Sequence, residues 1–273
     1  MPNEIPRMEV ARKAMEECAR FLISDVQSKP ENEWKGGNHS DLVTAYDREV
    51  ERRLVEAISA AFPEDLFLTE EEDRGTGLEK GIVWVIDPID GTTNFVHFRR
   101  DYSISVGCYR EGKPWFGLVL DPVRGELFEG ISGGGARLNG HELPRLDKSV
   151  SLHESLVDFS MNTTHILRRD FKADLSDLAP LICGHRAYGS ASLILCRIAR
   201  GECHIYLSAK LSLWDYAAAG IILREVGGDY LEGRRQTPKK GFRSGRLFLA
   251  WGADKAGKEI EKYLKERNVP LED

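Results

Sequence analysis

Met8, Ala11, Met15, Cys18, Leu22 and Val26 recur at steps of three and four, the spacing that gathers apolar side chains onto one stripe of an α-helix. Val50, Leu54, Ala57, Ile58 and Ala61 repeat the pattern, and Pro63 stops this second helix. Between the two, Lys35-Gly36-Gly37-Asn38-His39-Ser40-Asp41 has the composition of a loop. Farther on the period shortens. Leu66-Phe67-Leu68 is a brief apolar run that breaks into Thr69-Glu70-Glu71-Glu72. Ile82-Val83-Trp84-Val85-Ile86, set between Gly81 and Asp87-Pro88, reads as a strand buried on both faces. Tyr102, Ile104, Val106 and Cys108 alternate with polar or small residues, and Trp115 to Leu120 forms the next strand after a turn at Glu111-Gly112. Leu127, Phe128 and Ile131 mark a third, closing at Gly133-Gly134-Gly135.

The second half predicts a strand from Leu156 to Phe159, a helix-like stretch from Leu175 to Ile182, and a helix from Ser190 to Arg200 ending at Gly201. A strand from His204 to Leu207, a helix from Asp215 to Val226 ending at Gly227-Gly228, a strand from Leu247 to Trp251 and a charged helix from Lys255 to Arg267 follow. Helices and sheet runs segregate, so the expected class is α+β, or a layered α/β arrangement with alternating helix and sheet layers. The 273 residues fit one unit in two halves, 1–150 and 151–273.

Composition narrows the function. With 38 basic and 44 acidic residues the net charge is −6, and Arg234-Arg235 and Lys239-Lys240 are short pairs in a turn-rich stretch, so nucleic acid is not the expected partner. Five scattered cysteines without a C-x-x-C pair argue against a disulfide framework or zinc knuckle. The start is charged from Glu4 onward, and no apolar run approaches the ~20 residues that span a bilayer. The expectation is a cytoplasmic protein with no membrane partner.

Candidate chemistry concentrates in Asp87-Pro88-Ile89-Asp90-Gly91-Thr92-Thr93-Asn94-Phe95, at the end of the most buried strand. On a continuing strand two aspartates three apart point to opposite faces. Pro88 and Gly91 predict a turn instead, which brings both carboxylates round beside the Ile89 carbonyl, a set of hard oxygen donors suited to magnesium. Gly91-Thr92-Thr93 then offers unhindered backbone N–H groups to a phosphate. By contrast, Gly133 to Gly135 lacks the following Lys-Ser/Thr of a phosphate loop, and the seven histidines, His97 and His185 among them, show no ligand spacing. Taken singly, Asp215 reads as a helix cap, Asp47 as a residue near a helix N-terminus, and Glu72-Asp73 as a solvated turn.

The nine-residue string closely resembles the signature of the inositol monophosphatase family, a lithium-sensitive group of metal-dependent phosphatases. Trp214-Asp215-Tyr216-Ala217-Ala218-Ala219-Gly220, running on to Glu225-Val226-Gly227-Gly228, matches a second family motif. Glu70-Glu71 and Asp41-Leu42-Val43-Thr44-Ala45-Tyr46-Asp47 match two more, in the family's order, across nearly the whole chain. The resemblance implies an αβαβα sandwich shared with fructose-1,6-bisphosphatase, a homodimer, and two or three magnesium ions per site. Glu70, Asp87 and the Ile89 carbonyl would hold one ion; Asp87, Asp90 and Asp215 would hold another, with Asp87 bridging. Thr92, paired with Asp47, would help Glu70 orient and deprotonate the attacking water, and the Gly91-Thr92-Thr93 segment would bind phosphate.

Arg186-Ala187-Tyr188-Gly189-Ser190-Ala191 is similar to the family's sugar-contacting segment, which places Gly189, Ser190 and Ala191 against substrate hydroxyls. Inositol-specific members carry a glutamate seven residues before the second-motif aspartate; here that position is Ser208, with Lys210 close by. A shorter neutral side chain and a lysine favour a broader range, with Arg99, Arg100 and Lys210 as candidates for a second anionic group. The function implied is magnesium-dependent hydrolysis of small phosphate monoesters, foremost inositol 1-phosphate, by direct attack of water with no phospho-enzyme. NADP 2′-phosphatase, fructose-1,6-bisphosphatase and nucleotide 3′-phosphatase activities are alternatives within the family, and a non-catalytic scaffold that keeps the same fold is the alternative from another functional class. An aspartyl-nucleophile phosphatase fails on register, since it needs D-x-D and the spacing here is D-x-x-D.

Overall fold

The computed structural model describes residues 6–28, 39–72, 76–235 and 246–272. In its first half lie α1 (Pro6–Ser28), α2 (His39–Ala61), β1 (Leu66–Thr69), β2 (Ile82–Asp90), α3 (Thr92–Phe98), β3 (Ser103–Arg110), β4 (Lys113–Asp121), β5 (Glu126–Ile131), β6 (Gly135–Leu138) and β7 (His141–Glu142). In its second lie β8 (Leu156–Phe159), α4 (Met161–Phe171), β9 (Gly184–Arg186), α5 (Ala191–Ala199), β10 (Ile205–Leu211), α6 (Leu213–Glu225), β11 (Asp229–Arg235), β12 (Arg246–Trp251), α7 (Asp254–Lys265) and β13 (Leu271–Glu272). Strands β1 to β7 form one sheet in sequence order, and the other sheet runs β13-β11-β12-β10-β8-β9.

Alternation along the strands sets the layers. On β2, Trp84 and Ile86 pack with Met15, Leu22, Leu54 and Ile58 of α1 and α2, whereas Val83 and Val85 pack with Ala217 and Ile221 of α6. On β12, Phe248 and Ala250 join the core around α5 and α6, whereas Leu247 and Leu249 face Leu167 of α4 and Ile260 of α7. The result is helices, sheet, helices, sheet, helices, the layering expected from the sequence. Helix α6 sits in the middle layer, and accordingly Trp214, Tyr216–Ile221, Ile222 and Leu223 are all buried rather than confined to one stripe.

Two sheets can clasp one helix only if the helix comes close. Gly107, Gly117 and Gly130 stand side by side on β3, β4 and β5, paired in register. A Cβ on Gly117 would lie 2.3 Å from the Ala218 carbonyl oxygen, and one on Gly130 would lie 2.9 Å from the Ile222 Cα. These glycines form a bare trough into which α6 sinks. On its far side Gly220 admits the Tyr230 ring, which a Cβ would approach to 2.9 Å.

Several local expectations are corrected. His39-Ser40-Asp41 belong to α2, not to a loop; residues 35–38 lie outside the described residues. The Leu175 stretch is a 3₁₀ helix ending at Leu181, consistent with Pro180 inside it. Arg234-Arg235 end β11 rather than sitting in a turn, while Lys239-Lys240 lie outside the described residues. Helix α4 has no counterpart in the sequence reading: it buries only Thr163, Ile166 and Leu167, too thin an apolar stripe to recognise, and relies on Ser160, whose side chain accepts from Thr163 N at 3.1 Å.

Gly117→Ala should cost about 1–3 kcal/mol or more, because its methyl meets backbone rather than a movable side chain. Gly107→Ala, whose Cβ would sit 3.2 Å from the Ala217 carbonyl carbon, should cost less. Denaturant unfolding of the pair measures this, and wild-type midpoints for both would contradict the trough.

Candidate functional site

The D-x-x-D string ends β2 without a turn. Asp87 pairs with Ser105 and Asp90 with Ser103, so three steps on β2 span two on β3. This β-bulge inserts one residue, resets the alternation, and lets two aspartates three apart serve the same side; Pro88, which cannot donate to a ladder, is tolerated there. The expected turn is therefore replaced by a bulge. Gly91 follows at φ +89° as the cap of α3. A Cβ there would lie 3.1 Å from the Asp101 carbonyl oxygen and from Ser190 Cβ, so bareness is required as well as handedness.

Asp90 is the most heavily engaged side chain. Its carboxylate accepts from Ser190 Oγ at 2.6 Å, Ala191 N at 3.1 Å, Ser192 N at 2.6 Å and Ser192 Oγ at 2.5 Å. Those donors open α5, so the end of β2 caps a helix of the other half. Asn94, from the same motif, donates to the Tyr188 carbonyl at 2.6 Å and the Asp101 carbonyl at 2.8 Å, which holds the segment leading to Gly189.

Asp215 arrives on α6. The helix starts at Leu213, with Ser212 as its cap, so Asp215 is its third residue rather than the cap, and it accepts from Ser212 N at 2.7 Å. Glu70 follows β1 and shares a side-chain hydrogen bond with Asp87. Burial pushes the Glu70 carboxyl up to about 7, with the charges of Glu71, Asp90 and Glu51 adding to it. Asp87 and Asp215 are raised well above the carboxylate range, first by burial and then by neighbouring carboxylates; Glu70 and Asp90 act on both. Asp90 is also raised by burial, against the pull of its hydrogen bonds.

Asp47 lies well inside α2, not near its N-terminus. The expected Thr92–Asp47 pair is not formed. Thr92 Oγ1 donates instead to the Ile89 carbonyl, three residues back, at 3.1 Å, as a hydroxyl at a helix start can. Asp47 Oδ2 is buried with no hydrogen-bond partner, and its carboxyl is pushed up to about 8, by burial first and then by Glu70 and Glu71.

A cavity of ≈ 290 Å³ adjoins Asp90 and Asp215 and is walled by Asp158, Ser160, Gly189, Ser190, Ala191, Ser208 and Lys210. Ser208 borders a second register irregularity on β10, between Ser208 and Leu211, and Lys210 lies within it. Arg99 and Arg100 do not line this cavity, and neither do Glu70 and Asp87. A larger space of ≈ 580 Å³ between α1 and the β4–β5 edge holds none of the acidic cluster. His185 is structural, its Nε2 lying 2.8 Å from the Phe159 carbonyl oxygen, and His97 is exposed.

Among the described residues no three His, Cys, Asp or Glu side chains are drawn together as a finished metal-ligand shell. The reason is visible: Asp90 and Asp215 turn oxygens to protein donors, and Asp87 bonds to Glu70. The donor chemistry nonetheless fits a divalent cation. The Asp90 charge raises the proton affinity of Glu70, Asp87 and Asp215, and an Asp47 oxygen is buried without a partner within reach of the Glu70 charge. Positive charge is what such a cluster lacks.

Three participants have no role assigned from the sequence: Asn94, which stands in the nine-residue string, Ser192 and Glu51. Glu51 is 2% exposed and accepts from Thr69 Oγ1 at 2.8 Å and Glu71 N at 2.9 Å. The available signal was that Asp47 and Glu51, one turn apart, share the helix face of Val50, Leu54 and Ile58, where ionisable side chains are rare unless partnered.

The description of the inositol monophosphatase family matches residues 5–268. An inositol-1-monophosphatase of Bacillus subtilis (strain 168) is 39% identical over 266 residues, covering 95% of this chain and 97% of that one. A Nus factor SuhB of Pasteurella multocida (strain Pm70) is 31% identical over 82% of this chain and 84% of its own. The crystal structure of SaIMPase-II bound to inositol monophosphate superposes with a TM-score of 0.81 at 28% identity, over 97% of this chain and 95% of that one. The same enzyme bound to 2′AMP gives 0.81 at 30% identity, over 96% and 95%. With the family pattern spanning nearly every residue and the layered fold matching, this chain belongs to the inositol monophosphatase family of phosphatases.

Proposed function

We propose that this chain hydrolyses small phosphate monoesters with magnesium as its metal, over a range broader than inositol 1-phosphate. The observation that carries the reading is the buried group Glu70, Asp87, Asp90 and Asp215 beside a cavity whose other wall bears Ser208 and Lys210. Glu70, Asp87, the Ile89 carbonyl, Asp90 and Asp215 would hold the ions. When bound, magnesium supplies the positive charge that phosphate-ester hydrolysis demands on its oxygens.

The chain's own groups do the rest. Glu70, half-buried just past the end of β1, takes the proton of an attacking water, with Thr92 Oγ1 as a second contact for that water. The new P–O bond forms from this oxygen, the ester P–O bond breaks, and the leaving alkoxide takes a proton from solvent water, to which Glu70 afterwards returns its own. The Gly91, Thr92 and Thr93 backbone faces the phosphate, while Gly189, Ser190 and Ala191 contact the hydroxyls of the alcohol. Ser208 leaves room at the far wall, and the Lys210 ammonium attracts a second anionic group. That SaIMPase-II was solved with both inositol monophosphate and 2′AMP supports breadth. A cytoplasmic homodimer, with its chain in two halves, belongs to the same proposal. No helix among the described residues is long and apolar enough to cross a membrane.

The relative named as a Nus factor favours a second reading, a role in another assembly alongside or instead of catalysis. Phosphate release decides. With magnesium the protein should free phosphate from inositol 1-phosphate, chelator should abolish it, and Asp215→Asn should lower kcat on the order of a hundredfold or more. A folded, magnesium-loaded protein inert on a broad panel of esters would leave only the second reading. On that panel Lys210→Ala should selectively lower kcat/KM for bisphosphates and NADP, which carry a second anionic group; a uniform effect across the panel would remove the lysine from substrate selection.

The raised carboxyls also dictate a pH dependence. In chelator the folded chain keeps protons on Glu70 and Asp47 that the unfolded chain sheds near pH 4, until pH passes about 7 and about 8 respectively. The folded state thus binds more protons across that window, and stability falls as pH rises through it. Melting temperature in chelator should drop between pH 5.5 and 8.5, and magnesium should restore more of it at the higher pH. A flat profile would contradict the clustered charge.

A further inference from the structure

We propose that Glu51 is a positioning residue for Glu70, holding the chain on either side of it so that its carboxyl stays aimed at the metal-binding group. The inference rests on the reading given under Proposed function. Strand β1 is a four-residue strand at the edge of its sheet, and its ladder with β2 stops at Thr69–Ile86. Glu70 and Glu71 therefore lie past the last pairing, where no sheet hydrogen bond fixes them. Glu51 begins where the ladder ends. Its Oε1 accepts from Thr69 Oγ1 at 2.8 Å and its Oε2 from Glu71 N at 2.9 Å, so one rigid carboxylate grips the residues immediately before and after Glu70.

The grip comes from a well-anchored element. Neighbours of Glu51 on α2, Val50, Leu54 and Ile58, are fully buried in the core against the first sheet. One turn earlier the same helix presents Asp47 to the same group. A carboxylate 2% exposed, on the face that carries Val50, Leu54 and Ile58, is costly to bury. Both oxygens are spent on donors flanking one functional residue, which is how outer groups orient metal ligands.

The test titrates magnesium into the full-length protein by calorimetry without substrate, then measures kcat, KM and the melting temperature in chelator. Glu51→Ala should weaken magnesium binding about tenfold or more and lower kcat while leaving KM for the ester unchanged. Glu51→Gln should come back to within about fivefold of wild type. Its amide oxygen can accept from Glu71 N and its NH₂ can donate to the Thr69 hydroxyl, whose proton turns to the Glu72 carbonyl 3.1 Å away. Thr69→Val, which removes one contact in a near-isosteric way, should show a smaller loss of the same kind and serves if Glu51→Ala does not fold. Wild-type magnesium affinity in Thr69→Val and in folded Glu51→Ala would overturn the proposal, as would a Gln variant as impaired as the Ala variant. A wild-type protein that neither binds magnesium nor releases phosphate would overturn the functional reading and this inference together.

Discussion

The Asp90 carboxylate accepts four hydrogen bonds from Ser190, Ala191 and Ser192, and through them the end of a strand in one sheet is fastened to the first turn of a helix lying under the other. Among the described residues no ion pair to a lysine, arginine or histidine is formed by it. The carboxylate is instead held by helix-start amides and hydroxyls, donors that stabilise a buried anion without neutralising it. That distinction shapes the site. A lysine or arginine in the same place would have balanced the charge and left nothing to attract a cation, whereas amides keep Asp90 in position and leave its field available to Asp87 and Asp215.

What the sequence disclosed, and what it withheld, follows from whether neighbours in space are neighbours in the chain. The string from Asp87 to Phe95 is contiguous, so its carboxylates, its glycine and its helix start were all visible. The bulge was not, because alternation alone assigns Asp87 and Asp90 to opposite faces and nothing local announces an extra residue in the pairing with β3. Buried helix α6 was legible in outline from an apolar run without a polar stripe. The row of Gly107, Gly117 and Gly130 was not, since only strand pairing places three glycines from three hairpin-connected strands in line.

The acidic residues divide in the same manner. Glu70, Asp87, Asp90 and Asp215 stand in recognisable motifs, and the structure brings their charges into mutual reach. The expected Thr92–Asp47 link depended on two side chains from different elements choosing one another, and Thr92 chose a nearer acceptor. Glu51 was passed over because one glutamate in a charged helix looks ordinary until the packing face is known.

Helix α6 rests on a glycine floor, and this fixes more than its depth. If it slid by one turn, Trp214 or Ile222 would stand over Gly117, where the Ala218 backbone already lies too close to admit a Cβ. The trough therefore works as a keyway, locking the helix's axial position much as ladder bonds lock a strand's register. How far Asp215 reaches toward Asp90 is thus decided by three residues that carry no charge, bind no metal and touch no substrate.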